Sequence, residues 1–306
     1  MTHPDYPAID SEGRITTASK WMSAIFVFIL PTAGVLLATW LVAHGKVTRY
    51  DLIIFGVMYI LTGLGVTVGY HRLFTHRAFE APGPVRWALA IAGGMAAEGA
   101  PIIWASQHRQ HHAFSDQEGD PHSPVLGSLW HAHYGHVFRQ VARIDPDRYA
   151  PDLIKDPFLR WLEKWAALPV ILGFILPAAL GWAFTRTPMG AATGALWGGL
   201  VRLFMITHAT GAVNSLCHRF GSRPFDTGDR SGNVWWLVLP TLGESWHRNH
   251  HAFPTSARHG LWWWQLDPSW IAIWVMEKLG LIRNVVRIDP AHVALKKVVE
   301  KAKMAV

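Results

Sequence analysis

Three short stretches of the chain place histidines at metal-ligand spacing. In GESWHRNHHAFP, residues 243–254, His247, His250 and His251 stand at i, i+3 and i+4, so in a helix three imidazoles share one face within a turn. HRQHH repeats the pattern with His108, His111 and His112, and HRLFTH adds a looser pair, His71 and His76. These clusters hold eight of the 18 histidines. A lone HxxHH is as readily a set of core histidines as a ligand set, but two copies and a third pair favour metal. Near the end of a later apolar run, NSLCH adds His218 as a ninth imidazole, with Asn214 one turn away and able to hold a metal-bound water.

Nine imidazoles exceed the six positions of an octahedral ion, so two metals are implied. Imidazole suits zinc, copper, iron and nickel alike, and ligand type alone does not choose among them. Glu98 and Glu244 lie near the clusters without forming the Glu-x-x-His motif of soluble carboxylate di-iron bundles. If both metals are iron, an all-nitrogen pair suits oxygen activation against an apolar substrate, whose C–H bonds ordinary acid/base catalysis does not break.

The clusters sit in a membrane composition: 50% hydrophobic, 16% charged, with 17 Trp. The net charge of +7 comes from basic residues scattered among Trp and Leu, which reads as lipid anchors and topology signals and argues against nucleic acid. A single cysteine, Cys217, excludes a disulfide framework, a Cys-rich zinc site and a fused iron–sulfur carrier, and reads as a buried thiol.

Four apolar runs, about residues 21–43, 52–70, 166–184 and 188–213, are long enough to cross a bilayer. Residues 1–20 read as a mobile tail, 290–306 as a solvated tail, and 21–289 as one domain. GLGVTVG in the second run resembles a dinucleotide fingerprint but opens no helix after a strand, so its glycines read as helix contacts. Residues 87–106 are nearly long enough to cross, but crossing would put HRLFTH and HRQHH on opposite faces. A re-entrant or interfacial helical hairpin is therefore expected there. His131, His133 and His136 read as part of an interfacial helix with Trp130 and Phe138 toward lipid, and the 261–282 stretch as another surface-lying segment. Asp120 and His122 stand close enough to the second cluster to orient a ligating imidazole. Lys and Arg number ten between spans two and three, twelve after span four, and three in the two short turns together. That bias puts both termini and all histidine clusters in the cytoplasm, across a cell inner membrane.

HRLFTH, HRQHHAFSD, DPHSP, NSLCH and GESWHRNHHAFP, in this order and separation, resemble the membrane fatty-acid desaturases, most closely the bacterial delta-9 acyl-CoA (stearoyl-CoA-type) branch. The resemblance runs from about residue 21 to 289. It implies an all-α integral membrane protein with four transmembrane helices and a cytoplasmic helical cap, from 71–165 and 214–289, that holds a di-iron site. By resemblance the ligands are His71, His76, His108, His111, His112, His218, His247, His250 and His251, with Asn214 acting through water. Trp104, Thr210 and Gly211 stand where family members line a bent acyl tunnel, Gly211 where the animal enzymes carry Trp. The implied reaction places a cis double bond in a saturated long-chain acyl-CoA, with O2 as co-substrate and two electrons from outside. Zinc is an expected adventitious occupant of such sites.

The chain shows no nucleotide-binding or heme-binding segment, so a separate ferredoxin, rubredoxin, cytochrome or flavoprotein reductase is expected as donor. Arg109, Arg248 and Arg258 are candidates for docking it. Competing expectations are an acyl-lipid desaturase, a di-iron hydroxylase of acyl or alkyl chains and, more remotely, a metal transporter or sensor.

Overall fold

In this computed structural model the described residues are 6–303, with side chains to 297. Their regular structure is helical, with β-pairing confined to isolated bridges. In chain order the main helices are α1 (Thr17–Ala43), α2 (Arg49–Thr75), α3 (Gly83–Gly94), α4 (Pro101–Phe114), α5 (Pro157–Lys164), α6 (Ala167–Thr185), α7 (Pro188–Ser215), α8 (His247–Ala252), α9 (Pro268–Lys278) and α10 (Pro290–Lys303), with shorter helical turns at His131–Gly135, His136–Phe138, Pro146–Tyr149 and Trp235–Leu237. The four helices long and apolar enough to cross a membrane are α1, α2, α6 and α7, matching the four runs read from hydropathy. The second run continues as helix past its apolar part to Thr75, with π-type turns from Gly65 onward, and so carries His71 within the same helix. Such widened turns recur at functional sites, because they rotate side chains off the regular helical face.

The chain forms two compact units. The first comprises Met1–Val66, Trp87–Ser106 and Arg143–His208. Within it, α6 and α7 form a tight hairpin. Arg186 takes the left-handed conformation that ends α6, Thr187 caps α7 by accepting from the Gly190 N–H, and Pro188 fills its first turn. Glycines let these helices touch: a Cβ on Gly181 would meet the Gly190 carbonyl oxygen at 2.0 Å, and one on Gly194 the Pro177 oxygen at 2.3 Å. Gly65, in the stretch that superficially resembles a nucleotide fingerprint, sits against the backbone of Ala92 and Gly93 in the same way. Leu36, Leu37, Ile171 and Ile175 leave the outer faces of α1 and α6 apolar and exposed, as a lipid-facing surface requires.

The segment 87–106 breaks as parity demands. α3 stops at Gly94, Ala97 and Gly99 take φ of 57° and 98°, and α4 begins at Pro101. Neither helix is a candidate span. Glu163 on α5 is buried, and its Oε1 accepts from the N–H groups of Ile102 and Ile103. With Pro101 lacking an N–H, this carboxyl caps an N-terminus for which the preceding Ala100 has no side-chain acceptor.

The expected mobile N-terminal tail differs from what is observed. From Tyr6 onward the chain is packed: Tyr6 and Ile9 are buried, Ile9 pairs with Ile15, and the Gly13 oxygen accepts from the Ile144 N–H. Two apolar anchors in a short polar run suffice to dock it, a signal that lacks any periodicity. Residues 1–5 of that tail and 304–306 of the C-terminal one lie outside the described residues.

The second unit comprises Thr67–Arg86, Gln107–Ala142 and Ala209–Val306. Cys217 is buried there with Ala212, Val234 and Leu237, and burial pushes its thiol pKa up. At its centre Arg72 is fully buried and pairs with Glu244 at 3.1 Å and Asp267 at 3.0 Å. Asp267 also caps α9 through the Trp270 N–H and accepts from the N–H groups of His259 and Gly260.

A candidate dimetal centre

All nine histidines singled out from spacing fall in the second unit, on α2, α4, α8 and two connecting segments. They converge into two groups whose ligand atoms lie within 4.8 Å of one another. His71, His76, His108, His112 and His250 form one; His111, His218, His247 and His251 form the other. The i, i+3, i+4 spacing divides each HxxHH between the groups, so the two short helices α4 and α8 each serve both.

The facing atoms are Nε2 nitrogens. His71 and His250 approach to 3.1 Å, His250 and His112 to 2.9 Å, and His112 and His108 to 3.1 Å. In the second group His218 and His247 are 2.9 Å apart, and His247 and His251 3.1 Å. The Nε2 atoms of His76 and His111 are buried without a hydrogen-bond partner. Burial, and after it the neighbouring imidazoles, pulls His76, His108, His112, His247, His250 and His251 well below the ordinary histidine pKa. Neutral imidazoles with lone pairs turned on one another repel, and a cation among them removes the repulsion. The donor set therefore fits two metal ions.

Carboxylates stand behind several of these histidines. Asp120 Oδ1 accepts from His111 Nδ1 at 2.9 Å, Asp116 Oδ2 from His218 Nδ1 at 2.9 Å, and Asp229 Oδ2 from His251 Nδ1 at 2.9 Å. Glu244 Oε2 lies 2.6 Å from His71 Nδ1. An ionised carboxylate only accepts, so at His111, His218 and His251 the Nδ1 carries the proton and the Nε2 offers its lone pair inward. Burial opposes ionisation of Asp116, Asp120 and Glu244. Their histidine partners outweigh it at each, joined at Glu244 by Arg72, and all three pKa values are lowered. At His111 burial is in turn outweighed by Asp120, and the pKa rises.

The family model for fatty acid desaturases matches residues 50–272, most of the chain. The chain belongs to that family. A hex-5-enoyl-[acyl-carrier protein] acetylenase of Moorena producens is 38% identical over 268 residues, 84% of this chain and 83% of its own. An sn-2 palmitoyl-lipid 9-desaturase of Nostoc is 33% identical over 291 residues, 94% and 97% of the two chains. An acyl-CoA C20 Delta5-desaturase of Anemone leveillei is 37% identical over 285 residues, 92% and 88%. This desaturase is thus an oxidoreductase of lipid metabolism built on membrane helices.

Of the remaining residues read from sequence, Asp120 accepts from His111 as described above. His122 is buried with its ring stacked 4.4 Å from that of His111, and burial followed by the charge of His111 holds its pKa well below the usual value. Asn214 is half-buried in the last turn of α7, one turn before His218. Trp104 donates from Nε1 to Glu98 in the first unit. In the second, Gly211 abuts residue 133, where a Cβ would meet the His133 carbonyl oxygen at 2.8 Å. Thr210 precedes it on α7.

The arginines considered for docking a donor turn inward to carbonyl oxygens. Arg109 bonds those of Phe74 and Thr75, Arg258 that of Trp262, and Arg248, only 5% exposed, those of Phe225, Asp229 and Ser231. Sequence reading missed Asp116, Asp229 and His259 and gave Glu244 no role. His259 Nδ1 lies 3.2 Å from Glu244, and its ring 4.5 Å from that of His250. Asp116 sits four residues after His112, a recoverable signal; Asp229 lies in a glycine-containing loop whose spacing to any histidine carries none.

Proposed function

We propose that the chain is an oxygen-dependent di-iron desaturase that introduces a cis double bond, at the delta-9 position, into a saturated long-chain acyl-CoA. The observation that carries this reading is the convergence of nine imidazoles into two groups, each with its ligand atoms within 4.8 Å of one another, in a chain with four membrane-length helices. The proposed ligands are His71, His76, His108, His112 and His250 for one iron, and His111, His218, His247 and His251 for the other, with Asn214 through water. Bound iron would supply the reduction of O2 and the removal of two hydrogens from adjacent methylenes, with two electrons delivered from outside. The chain's own residues present nine imidazoles, and Asp120, Asp116 and Asp229 orient His111, His218 and His251 through their Nδ1 atoms, with Glu244 beside His71. Trp104, Thr210 and Gly211 line the acyl path. A separate ferredoxin, rubredoxin, cytochrome or flavoprotein reductase supplies electrons. Residues 21–289 act as one domain, with the histidine-bearing segments and both termini on the cytoplasmic side of the inner membrane.

A second reading, an acyl-lipid substrate, is favoured by the Nostoc relative, whose name specifies a lipid-borne palmitoyl chain. Membranes containing the protein, given NADPH, a reductase and ferredoxin, distinguish the two when supplied with labelled stearoyl-CoA or labelled phosphatidylcholine. Label in a monoene formed directly from stearoyl-CoA, before transfer to lipid, supports the CoA reading. Conversion only after esterification overturns it.

A further inference from the structure

The carboxylates behind the two histidine groups belong to separate networks, and one network is fastened by a single arginine. The loop 225–231 crosses behind the four-histidine group. Arg248, on α8 between His247 and His250, donates from Nε to the Phe225 oxygen at 2.6 Å. It also donates from Nη1 to the Asp229 oxygen at 2.9 Å, to Asp229 Oδ1 at 3.1 Å and to the Ser231 oxygen at 3.2 Å. Clasped in this way, Asp229 turns its other oxygen, Oδ2, to His251 Nδ1. The next residue donates its backbone N–H, that of Arg230, to Asp116 Oδ2 at 2.8 Å, the same oxygen that accepts from His218 Nδ1. One loop therefore steadies the carboxylates behind two of the four imidazoles of this group. The five-histidine group meets a different assembly, in which Glu244 contacts His71 and is itself held by Arg72.

We propose that Arg248 is a positioning residue that, through the 225–231 loop, sets the metal affinity of the site formed by His111, His218, His247 and His251 independently of the other site. The inference rests on the assignment of the two histidine groups as metal ligands. Arg248 touches neither metal nor substrate in this scheme. It fixes Asp229, Asp229 fixes the His251 tautomer, and removing such a partner typically weakens metal binding about 10–100-fold.

The test is a Co(II) titration of purified, metal-free full-length protein in detergent, followed by visible absorption, with bound metal counted by mass spectrometry. Wild type is expected to take two equivalents. Arg248→Ala and Asp229→Asn are expected to keep one equivalent at wild-type affinity and to weaken the other about 10–100-fold. Glu244→Gln is expected to weaken the equivalent that those two variants spare, and Arg248→Lys to recover part of the loss seen with alanine. Asp229→Asn preserves shape and keeps the test valid if Arg248→Ala does not fold. Equal weakening of both equivalents by Asp229→Asn, or no weakening, overturns the proposal. Fewer than two equivalents in wild type is a separate outcome that overturns the ligand assignment beneath it.

Discussion

His71 and His250, 179 positions apart in sequence, bring their Nε2 atoms to 3.1 Å. One lies on the long apolar helix α2 and the other on the short polar helix α8, so two segments distant in sequence meet at one cluster of nitrogens.

Replacing His250 removes the imidazole that contacts both His71 and His112. His250→Ala is expected to lose at least one metal per chain and all detectable oxidation of acyl chains, while inserting in membranes at normal level. Metal analysis of the purified variant beside wild type checks this, and full metal content would remove His250 from the ligands.

Arg72 has no exposure and faces two carboxylates. Arg72→Met leaves Glu244 and Asp267 without their cation, and breaking such a buried pair costs about 3–5 kcal/mol. A large fall in thermal midpoint is expected in detergent, together with loosened metal binding. A midpoint within a degree of wild type would contradict the account.

Glu163 gives a pH dependence whose sign can be worked out. Burial raises its pKa from the ordinary 4.5 to about 8, even though the Ile102 and Ile103 N–H groups act to lower it. Between those values the unfolded chain has lost the proton and the folded chain keeps it. The contribution of this group to stability is therefore greatest below pH 4.5, falls as pH rises to 8, and is level beyond. The full span is about 3–5 kcal/mol. Glu163→Gln keeps an oxygen acceptor for both N–H groups and removes the titration, so it should be more stable than wild type at pH 8 and show no advantage at pH 4.5. Thermal unfolding at the two pH values measures the difference, and a variant less stable at pH 8 would contradict it.

Gly65 lies where a Cβ would sit 2.2 Å from the Gly93 backbone nitrogen. Gly65→Leu is expected to destabilise by about 1–3 kcal/mol or more through overpacking, read as a lower yield of folded protein. Undiminished yield and thermal midpoint would show that α2 and α3 do not need this close approach.

Much of this was legible in the sequence because it is carried by local pattern. Hydropathy placed the four spans, and i, i+3, i+4 spacing marked the histidines of α4 and α8. Parity of crossings anticipated the break between Gly94 and Pro101. What escaped depends on contacts without periodicity. Asp229 reaches His251 only because Arg248 clasps a loop, and Glu163 caps a helix 61 positions earlier. Arg248, which as a sequence letter looks like a surface charge, is buried because the carbonyl oxygens of that loop satisfy its guanidinium. The N-terminal segment was misjudged for the same reason, since Tyr6 and Ile9 are two isolated anchors in polar surroundings.

The central claim, desaturation at a histidine-held metal centre, is tested most directly by gas chromatography–mass spectrometry of total fatty acids. Cells expressing wild type are compared with cells expressing His250→Ala, with double bonds located by derivatisation. The account predicts a new cis monoene, with its double bond at carbon 9, in wild type alone. Hydroxylated chains in its place, or a monoene that persists undiminished in the variant, would contradict it.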